Sequence, residues 1–280
     1  MPQTCYRHPG RETAVSCSSC GRPICPDCMT PTPVGMRCPE CANQRTRVVR
    51  NPTGTPSGFG AFPATVVLIA INVVVFLIEV AKGSGGFYEI GTGTVYELGG
   101  LWGPAVGVGG EWWRVVTAGF LHFGIFHIAL NMYLLFILGR LMEPSIGTAR
   151  FVFLYFASLL AGSFVALLIE PNSVGAGASG AIFGVLGATF VIARGRKLDA
   201  IAGQIGILIL INLVFTFADG TISVGAHVGG LVCGVLCGLL IAAGERGRLG
   251  RGTPRDRLAI ELAAMAVLGI LSFVLALAVA

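Results

Sequence analysis

Charged side chains are scarce in this chain of 280 residues, of which 12% are charged and 54% are hydrophobic. So few charges cannot cover the surface of a soluble globule, and the mean hydropathy of +0.79 is typical of a protein that lies in lipid. Lysine is scarcer still, with two of the 19 basic residues, which points to a bacterial genome rich in G and C. The composition predicts an all-α polytopic membrane protein.

Seven apolar runs have the length of a membrane-spanning helix, about 17 to 25 residues. They are Ala64 to Ala81, Phe123 to Leu141, Phe151 to Ile169, Ala178 to Ala193, Ala200 to Ala218, Ile222 to Ala243 and Leu262 to Ala280. Asp and Glu are almost absent from these runs, which disfavours a transporter that depends on a carboxylate in the middle of the membrane. No cleavable signal peptide is expected, because the first sixty residues are polar and rich in cysteine.

Cysteine is concentrated at the amino terminus, where seven of the nine lie before residue 42. With one histidine they form four pairs, each separated by two residues: Cys5 and His8, Cys17 and Cys20, Cys25 and Cys28, Cys38 and Cys41. That gap lets both side chains of a pair reach one metal ion, so the eight ligands predict two tetrahedral, structural zinc ions. No coordination position would remain open for catalysis. A disulfide framework is the alternative, and it requires an oxidising compartment.

The metal would also supply the folding energy of this segment, because residues 1–42 hold too few apolar side chains for a core of their own. Residues 43–61 are rich in Pro, Gly, Ser and Thr and are predicted to be a flexible linker. Residues 62–243 then form a membrane core, and residues 244–280 form a basic cytoplasmic loop and the seventh span.

The basic residues predict the orientation of the spans. If the amino terminus lies inside, twelve basic residues fall in cytoplasmic segments and chiefly two, Lys82 and Arg114, fall outside. The twelve are Arg45, Arg47, Arg50, Arg150, Arg194, Arg196, Lys197, Arg246, Arg248, Arg251, Arg255 and Arg257. We therefore expect a cell-membrane protein with a cytoplasmic amino terminus, which is a reducing environment, and a carboxyl terminus outside.

A long outside segment, residues 82–120, contains all three tryptophans, Trp102, Trp112 and Trp113. Loops of this length are usually functional, and tryptophan favours the headgroup region of the bilayer. The segment is expected to be partly helical and embedded at the outer surface.

Four polar side chains lie in the first half of spans that enter from the outside. His127 and Asn131 share one face of the second span, Ser179 opens the fourth, and His227 lies near the start of the sixth. Each is costly in hydrocarbon without a partner, and all four are expected in one layer. We interpret Ser179 as a nucleophile and His227 as its base, at a helix amino terminus whose free N–H groups can hold an oxyanion.

Less specific interpretations exist for each of these residues. A serine in a membrane helix commonly bonds to a carbonyl one turn earlier, and an asparagine commonly joins two helices. His227 alone could pack or relay protons. His122, His127 and His227 could form a metal site, but Asp and Glu, which would complete it, are almost absent from these spans. Asp219 is the candidate third member of a triad, but we expect it not to reach His227. The sequence therefore favours a Ser and His dyad.

Residues 62–243 resemble the rhomboid family of intramembrane serine proteases. The resemblance is carried by Trp113-Arg114, by His122, His127 and Asn131 in the second span, by Gly177-Ala178-Ser179-Gly180, and by Ala226-His227-Val228-Gly229-Gly230. It implies a six-helix core in which Ser179 is the nucleophile and His227 the general base and acid. It further implies that His127 and Asn131 donate to the oxyanion with the Ser179 N–H, and that Phe183 packs against His227.

The seventh span and the cysteine-rich segment lie outside that common core. The cysteine spacing resembles B-box-type zinc fingers, in which the first and third pairs hold one ion and the second and fourth hold the other.

The expected function is that of an intramembrane endopeptidase that cuts single-span membrane proteins near the outer face of the bilayer. The alternative is a non-proteolytic membrane adaptor whose finger recruits a cytoplasmic protein. Nucleic acid is not an expected partner. The arginines of the finger suit either an acidic partner or solubility alone: Arg7, Arg11, Arg22 and Arg37.

Overall fold

The structure is a computed structural model that describes residues 3–32, 35–43, 58–83, 93–249 and 253–280. The chain divides into two compact units, residues 1–55 and residues 56–280. Most of the predicted linker, residues 44–57, lies outside the described residues. Its last part forms a 3-10 turn, Gly58–Ala61.

The first unit is built from very short elements around its cysteines. Strands β1 (Gln3–Thr4) and β2 (Glu12–Thr13) form one antiparallel pair, and β3 (Thr30–Thr32) and β4 (Gly35–Arg37) form another. Helix α1 (Pro39–Asn43) follows the second pair. The core consists of six buried cysteines and Ile24, with Tyr6 and Met29 packed against them. So small an apolar core is typical of a domain that is stabilised by metal.

The second unit is helical. Its long helices are α2 (Pro63–Lys82), α6 (Ile125–Ile146), α7 (Thr148–Ile169), α8 (Ser179–Gly195), α9 (Asp199–Ala218), α10 (Val224–Glu245) and α11 (Pro254–Val279), and its short ones are α3 (Thr94–Gly99), α4 (Gly103–Gly107) and α5 (Arg114–Thr117). Within the described residues, six of the long helices have the length and composition to cross a membrane, and α8 is apolar but has only 17 residues. The seven predicted spans are therefore all helical, and the fourth is the short one, as expected.

The ends of the bundle can be named by the residues that lie there. At one end, called the Ser179 end, helices α8 and α10 begin. At the other, called the Glu143 end, the buried carboxylate of Glu143 accepts hydrogen bonds from the first N–H groups of α2, those of Ala64 (2.9 Å) and Thr65 (2.8 Å). The Thr65 and Thr148 hydroxyls also donate to Glu143, at 2.7 and 2.9 Å. Glu143 thus caps α2 and also ties the first side chain of α7 to it.

Helix α11 belongs to the packed bundle. It begins at Pro254 rather than at Leu262, where the predicted span starts, because its first turn is capped reciprocally by Thr253 and Asp256. Glu261, which is fully buried, forms an ion pair with Arg150 of α7. Near the Ser179 end, Phe273 meets Trp112 edge to face at 6.4 Å. The seventh helix therefore contacts the same segment that carries the tryptophans.

That segment, residues 93–120, is partly helical and is held by its arginine. Arg114 is buried and donates to the carbonyl oxygens of Gly100 (2.7 Å) and Glu97 (2.6 Å). The Trp113 indole N–H donates to the Leu98 carbonyl at 3.0 Å. Residues 84–92, which belong to the predicted outside segment 82–120, lie outside the described residues.

Candidate active site

Ser179 is the first residue of α8, and the chain before it is shaped by Gly177. The φ angle of Gly177 is +135°, and its N–H donates to the Ala118 carbonyl at 2.9 Å. A Cβ atom on Gly177 would lie 2.9 Å from Nε2 of His127, so only glycine lets the imidazole approach so closely. The same loop is tied to the tryptophan segment by two backbone hydrogen bonds between Leu101 and Gly175, both 2.8 Å.

His227 lies in the first turn of α10, and this turn is firmly anchored. The Ser223 hydroxyl oxygen accepts the Ala226 N–H at 3.1 Å and caps the helix. Glu170, at the end of α7, accepts the Ser223 hydroxyl at 2.6 Å and the Gly225 N–H at 3.2 Å. The anchoring fixes the height of His227 in the bundle.

Ser179 and His227 meet where the closely packed helices α8 and α10 begin. Ser179 Oγ lies 2.8 Å from His227 Nε2, and His227 is 8% exposed. Phe183, one turn after Ser179, stacks on the His227 ring with a centroid distance of 4.1 Å and an interplanar angle of 19°. Ser179 and His227 both line a cavity of about 900 Å³. The arrangement is that of a nucleophile and a base at the wall of an open cavity.

His127 and Asn131 line the same cavity. The Phe123 N–H donates to His127 Nδ1 at 3.4 Å, which leaves Nε2 as the protonated nitrogen, and Nε2 is the atom that faces Gly177. Asn131 is 5% exposed, and its side-chain Nδ2 has no hydrogen-bond partner among the described residues. His127 Nε2 thus lies against the loop before Ser179, and the Asn131 amide lies at the wall of the same cavity.

Of the remaining predicted candidates, Asp219 also lines the cavity but bonds Thr221 rather than His227. Asp219 accepts the N–H (2.9 Å) and the hydroxyl (2.7 Å) of Thr221, which together hold the pKa of Asp219 below its usual range. His122 is buried, does not line the cavity, and meets the His127 ring edge to face at 5.0 Å. Among the described residues, the groups that could bind a metal ion all lie in the first unit.

One residue of the site has no counterpart among the predicted candidates. Thr216 of α9 places its hydroxyl oxygen 2.7 Å from His227 Nδ1. A threonine in an apolar helix commonly bonds its own backbone, so its sequence context carried no signal of this contact.

Two groups of four ligands in the first unit could each hold a metal ion. They are Cys5, His8, Cys25 and Cys28, and Cys17, Cys20, Cys38 and Cys41. The ligand atoms of each group lie within 4.8 Å of one another, as tetrahedral coordination requires. The Cys38 N–H donates to Cys17 Sγ at 3.3 Å and lowers the pKa of the Cys17 thiol to about 6, which favours the metal-binding thiolate.

The exposed arginines around these groups are mostly paired with acids. Arg11 forms an ion pair with Asp27, and Arg7 (3.8 Å) and Arg22 (3.7 Å) both face Glu40. Positive charge is therefore largely balanced within the described part of this unit.

The fold and the site together define a helical membrane protein with a serine and histidine pair in a cavity of its bundle. Comparison with known proteins agrees with this class: the rhomboid domain matches residues 109–244. The chain is 30% identical over 175 residues to the putative rhomboid protease YdcA of Bacillus subtilis (strain 168), a match that covers 61% of this chain and 84% of YdcA. The chain belongs to the rhomboid family.

Two further relatives bear on the activity. The rhomboid protease GluP of Bacillus subtilis (strain 168) is 35% identical over 203 residues, which are 71% of this chain but only 39% of GluP. The inactive RHOMBOID-like protein 8 of Arabidopsis thaliana is 32% identical over 123 residues, or 44% of this chain and 35% of that protein. Family membership alone therefore does not separate an active protease from an inactive relative.

Proposed function

We propose that this protein is an intramembrane serine endopeptidase in which Ser179 is the nucleophile and His227 is the general base. The observation that carries the proposal is the 2.8 Å separation of Ser179 Oγ and His227 Nε2 at the wall of the cavity. At this distance His227 can take the hydroxyl proton while Ser179 attacks a peptide carbonyl, and can later return it to the leaving amine.

The oxyanion of the tetrahedral intermediate is stabilised by three donors. These are the Nε2–H of His127, the Nδ2 of Asn131, and the N–H of Ser179, which as the first residue of α8 has no acceptor in its own helix. The unpartnered Nδ2 of Asn131 supports this assignment, because a buried amide without an acceptor is otherwise destabilising. Donors that are already in place need no reorganisation as charge develops.

The substrate is a single-span membrane protein, cut near the outer face of the bilayer. The basic residues predict that the Ser179 end faces outward, with the amino terminus in the cytoplasm and the carboxyl terminus outside. A helical substrate hides its carbonyl groups in hydrogen bonds, so the scissile segment must unwind. Residues that weaken a helix near the outer end, such as Gly or Pro, favour this step.

The first unit is a B-box-like finger that holds two structural zinc ions, one on each of the two four-ligand groups. Thiolate and imidazole ligands in tetrahedral sets suit zinc, and all four positions of each set are filled by protein. The finger recruits a cytoplasmic protein partner rather than nucleic acid, because Arg7, Arg11 and Arg22 face acidic residues of the finger itself.

The test is cleavage of a single-span reporter in proteoliposomes by the wild type, Ser179→Ala and His227→Ala, with GluP as the positive control. Cleavage by the wild type alone supports the proposal. If GluP cuts the reporter and the wild type does not, labelling with a serine-directed fluorophosphonate separates two explanations. Labelling of the wild type but not of Ser179→Ala indicates an active enzyme with narrow specificity. Absence of labelling contradicts the proposal and supports the adaptor.

A further inference from the structure

Helix α9 turns a single buried polar side chain, that of Thr216, into the bundle at the height of the site. The buried residues of α9 are Ala202, Ile205 and Thr216. The neighbours of Thr216 in the sequence, Phe215 and Phe217, are 63% and 66% exposed, whereas Thr216 is 1% exposed and lines the cavity. An inward hydroxyl on a helix that otherwise faces lipid is expected to serve a partner inside the protein.

The hydrogen bonds of Thr216 determine where the protons lie. Its Oγ1 is 2.7 Å from the Asn212 carbonyl oxygen and 2.7 Å from His227 Nδ1. A carbonyl oxygen only accepts, so the single hydroxyl proton of Thr216 is directed to Asn212. The Thr216 oxygen is then an acceptor toward His227, and Nδ1 must carry the hydrogen between them.

The hydrogen on Nδ1 determines that Nε2, the other ring nitrogen of His227, is unprotonated. A neutral imidazole has one ring proton, so a protonated Nδ1 leaves the lone pair on Nε2, which faces Ser179 Oγ at 2.8 Å. With the opposite tautomer, Nε2 would carry a hydrogen and could not accept the serine proton.

We infer that Thr216 is a positioning residue that holds His227 in the Nδ1-protonated tautomer and in the ring orientation needed for catalysis. The inference rests on the proposed function. During acylation the Ser179 Oγ–H bond breaks as Oγ bonds to the substrate carbonyl carbon, and the proton moves to Nε2. The imidazolium keeps its Nδ1–H bond to Thr216, whose own proton stays on the Asn212 side.

Thr216 thus fills, as a neutral group, the place that an aspartate occupies in a Ser-His-Asp triad. A neutral oxygen avoids a buried carboxylate in the membrane interior, where such a charge is costly. It also accounts for a dyad in which Asp219 bonds Thr221 instead of the histidine.

The test compares Thr216→Val with Thr216→Ser, using purified full-length protein, reporter cleavage and thermal unfolding. Valine has the shape of threonine without the hydroxyl, and loss of one neutral hydrogen bond to the base should lower kcat by about 3- to 10-fold with KM unchanged. Serine restores the oxygen and should restore kcat. The matched control is Thr189→Val, since Thr189 is also buried and bonds the carbonyl one turn earlier, that of Val185, at 2.6 Å. The control should leave kcat unchanged.

The outcomes separate the inference from the proposed function. Wild-type kcat in Thr216→Val, or a loss in Thr216→Ser as large as in Thr216→Val, overturns the inference while cleavage by the wild type leaves the proposed function intact. An inactive wild type that is not labelled at Ser179 overturns both. Should Thr216→Val fold poorly, Thr216→Ala and Thr216→Ser provide the comparison, because both are smaller than threonine and differ only in the hydroxyl. Equal kcat in that pair contradicts the inference.

Discussion

A Cβ atom on Gly230 would overlap the carbonyl oxygen of Gly180, so helices α8 and α10 are in backbone contact beside the Ser179 and His227 pair. The contact is repeated one turn further along, where a Cβ on Gly234 would overlap the Gly184 carbonyl. Small residues allow this approach, and in lipid close packing is the main force between helices. The distance between nucleophile and base is therefore set by glycines that take no part in the chemistry.

Gly234→Ala tests this relationship at a distance from the catalytic groups. The added methyl group forces α8 and α10 apart, and overpacking of this kind costs about 1–3 kcal/mol. We expect a lower unfolding temperature in detergent together with slower reporter cleavage. Gly203→Ala in α9 is the control, because a Cβ there meets no atom of another described element within 4 Å. Equal stability of the two variants would show that α8 and α10 tolerate a wider spacing.

Asn131→Ala tests the proposed oxyanion donor. Removal of one such donor lowers kcat by about 100-fold or more, because the lost interaction belongs to the transition state, and KM should change little. The control is Asn72→Ala: Asn72 is a buried asparagine of α2 that bonds the Leu68 carbonyl at 2.8 Å and does not line the cavity. If Asn131→Ala loses thermal stability but keeps kcat, Asn131 joins helices rather than binding the oxyanion.

Glu261→Ala tests whether the seventh helix is part of the stable bundle. The change leaves Arg150 of α7, whose side chain is 25% exposed, without its buried partner, and the loss should cost up to about 3 kcal/mol, the lower end of the range for a fully buried pair. We expect a clear drop in the unfolding temperature. Asp199→Ala breaks the ion pair with Arg194, in which both side chains are largely exposed, and should have little effect. Similar unfolding temperatures for the two variants would mean that α11 contributes little through this pair.

In the proposed finger the first and third ligand pairs hold one zinc ion, and the second and fourth hold the other. This pairing predicts how the zinc content responds to double substitutions. Full-length protein should contain two zinc ions by elemental analysis. Cys25→Ser with Cys28→Ser removes ligands from one group and should leave one ion, whereas Cys28→Ser with Cys38→Ser damages both groups and should leave none. Cys233→Ser in α10 is the control and should retain both ions. One remaining ion in both double variants would contradict the pairing.

Removal of zinc by a strong chelator extends this test to the membrane core. It should unfold the finger while reporter cleavage in detergent continues, because the four-ligand groups lie in the first unit and the Ser179 and His227 pair in the second. Loss of cleavage on chelation would mean that the finger supports the core.

Three patterns in the sequence made much of this protein predictable. Seven apolar runs of spanning length determine seven helices, since backbone groups in lipid must be satisfied within a helix. Four pairs with a gap of two residues indicate metal groups, because that gap matches the reach of two ligands to one ion. Polar residues at one depth, such as Ser179 and His227, stand out because hydrocarbon penalises them.

Only the tertiary structure shows the side-chain contacts between helices that are distant in the sequence. Thr216 looks in sequence like any threonine bonded to its own helix, and its contact with His227 exists because α9 is placed against α10. Glu143 and Glu261 look like flanking charges, yet one caps α2 and the other pairs with Arg150 of α7. Hydropathy measures the preference of each residue for lipid, whereas these contacts depend on the rotation and spacing of helices, which side-chain packing sets.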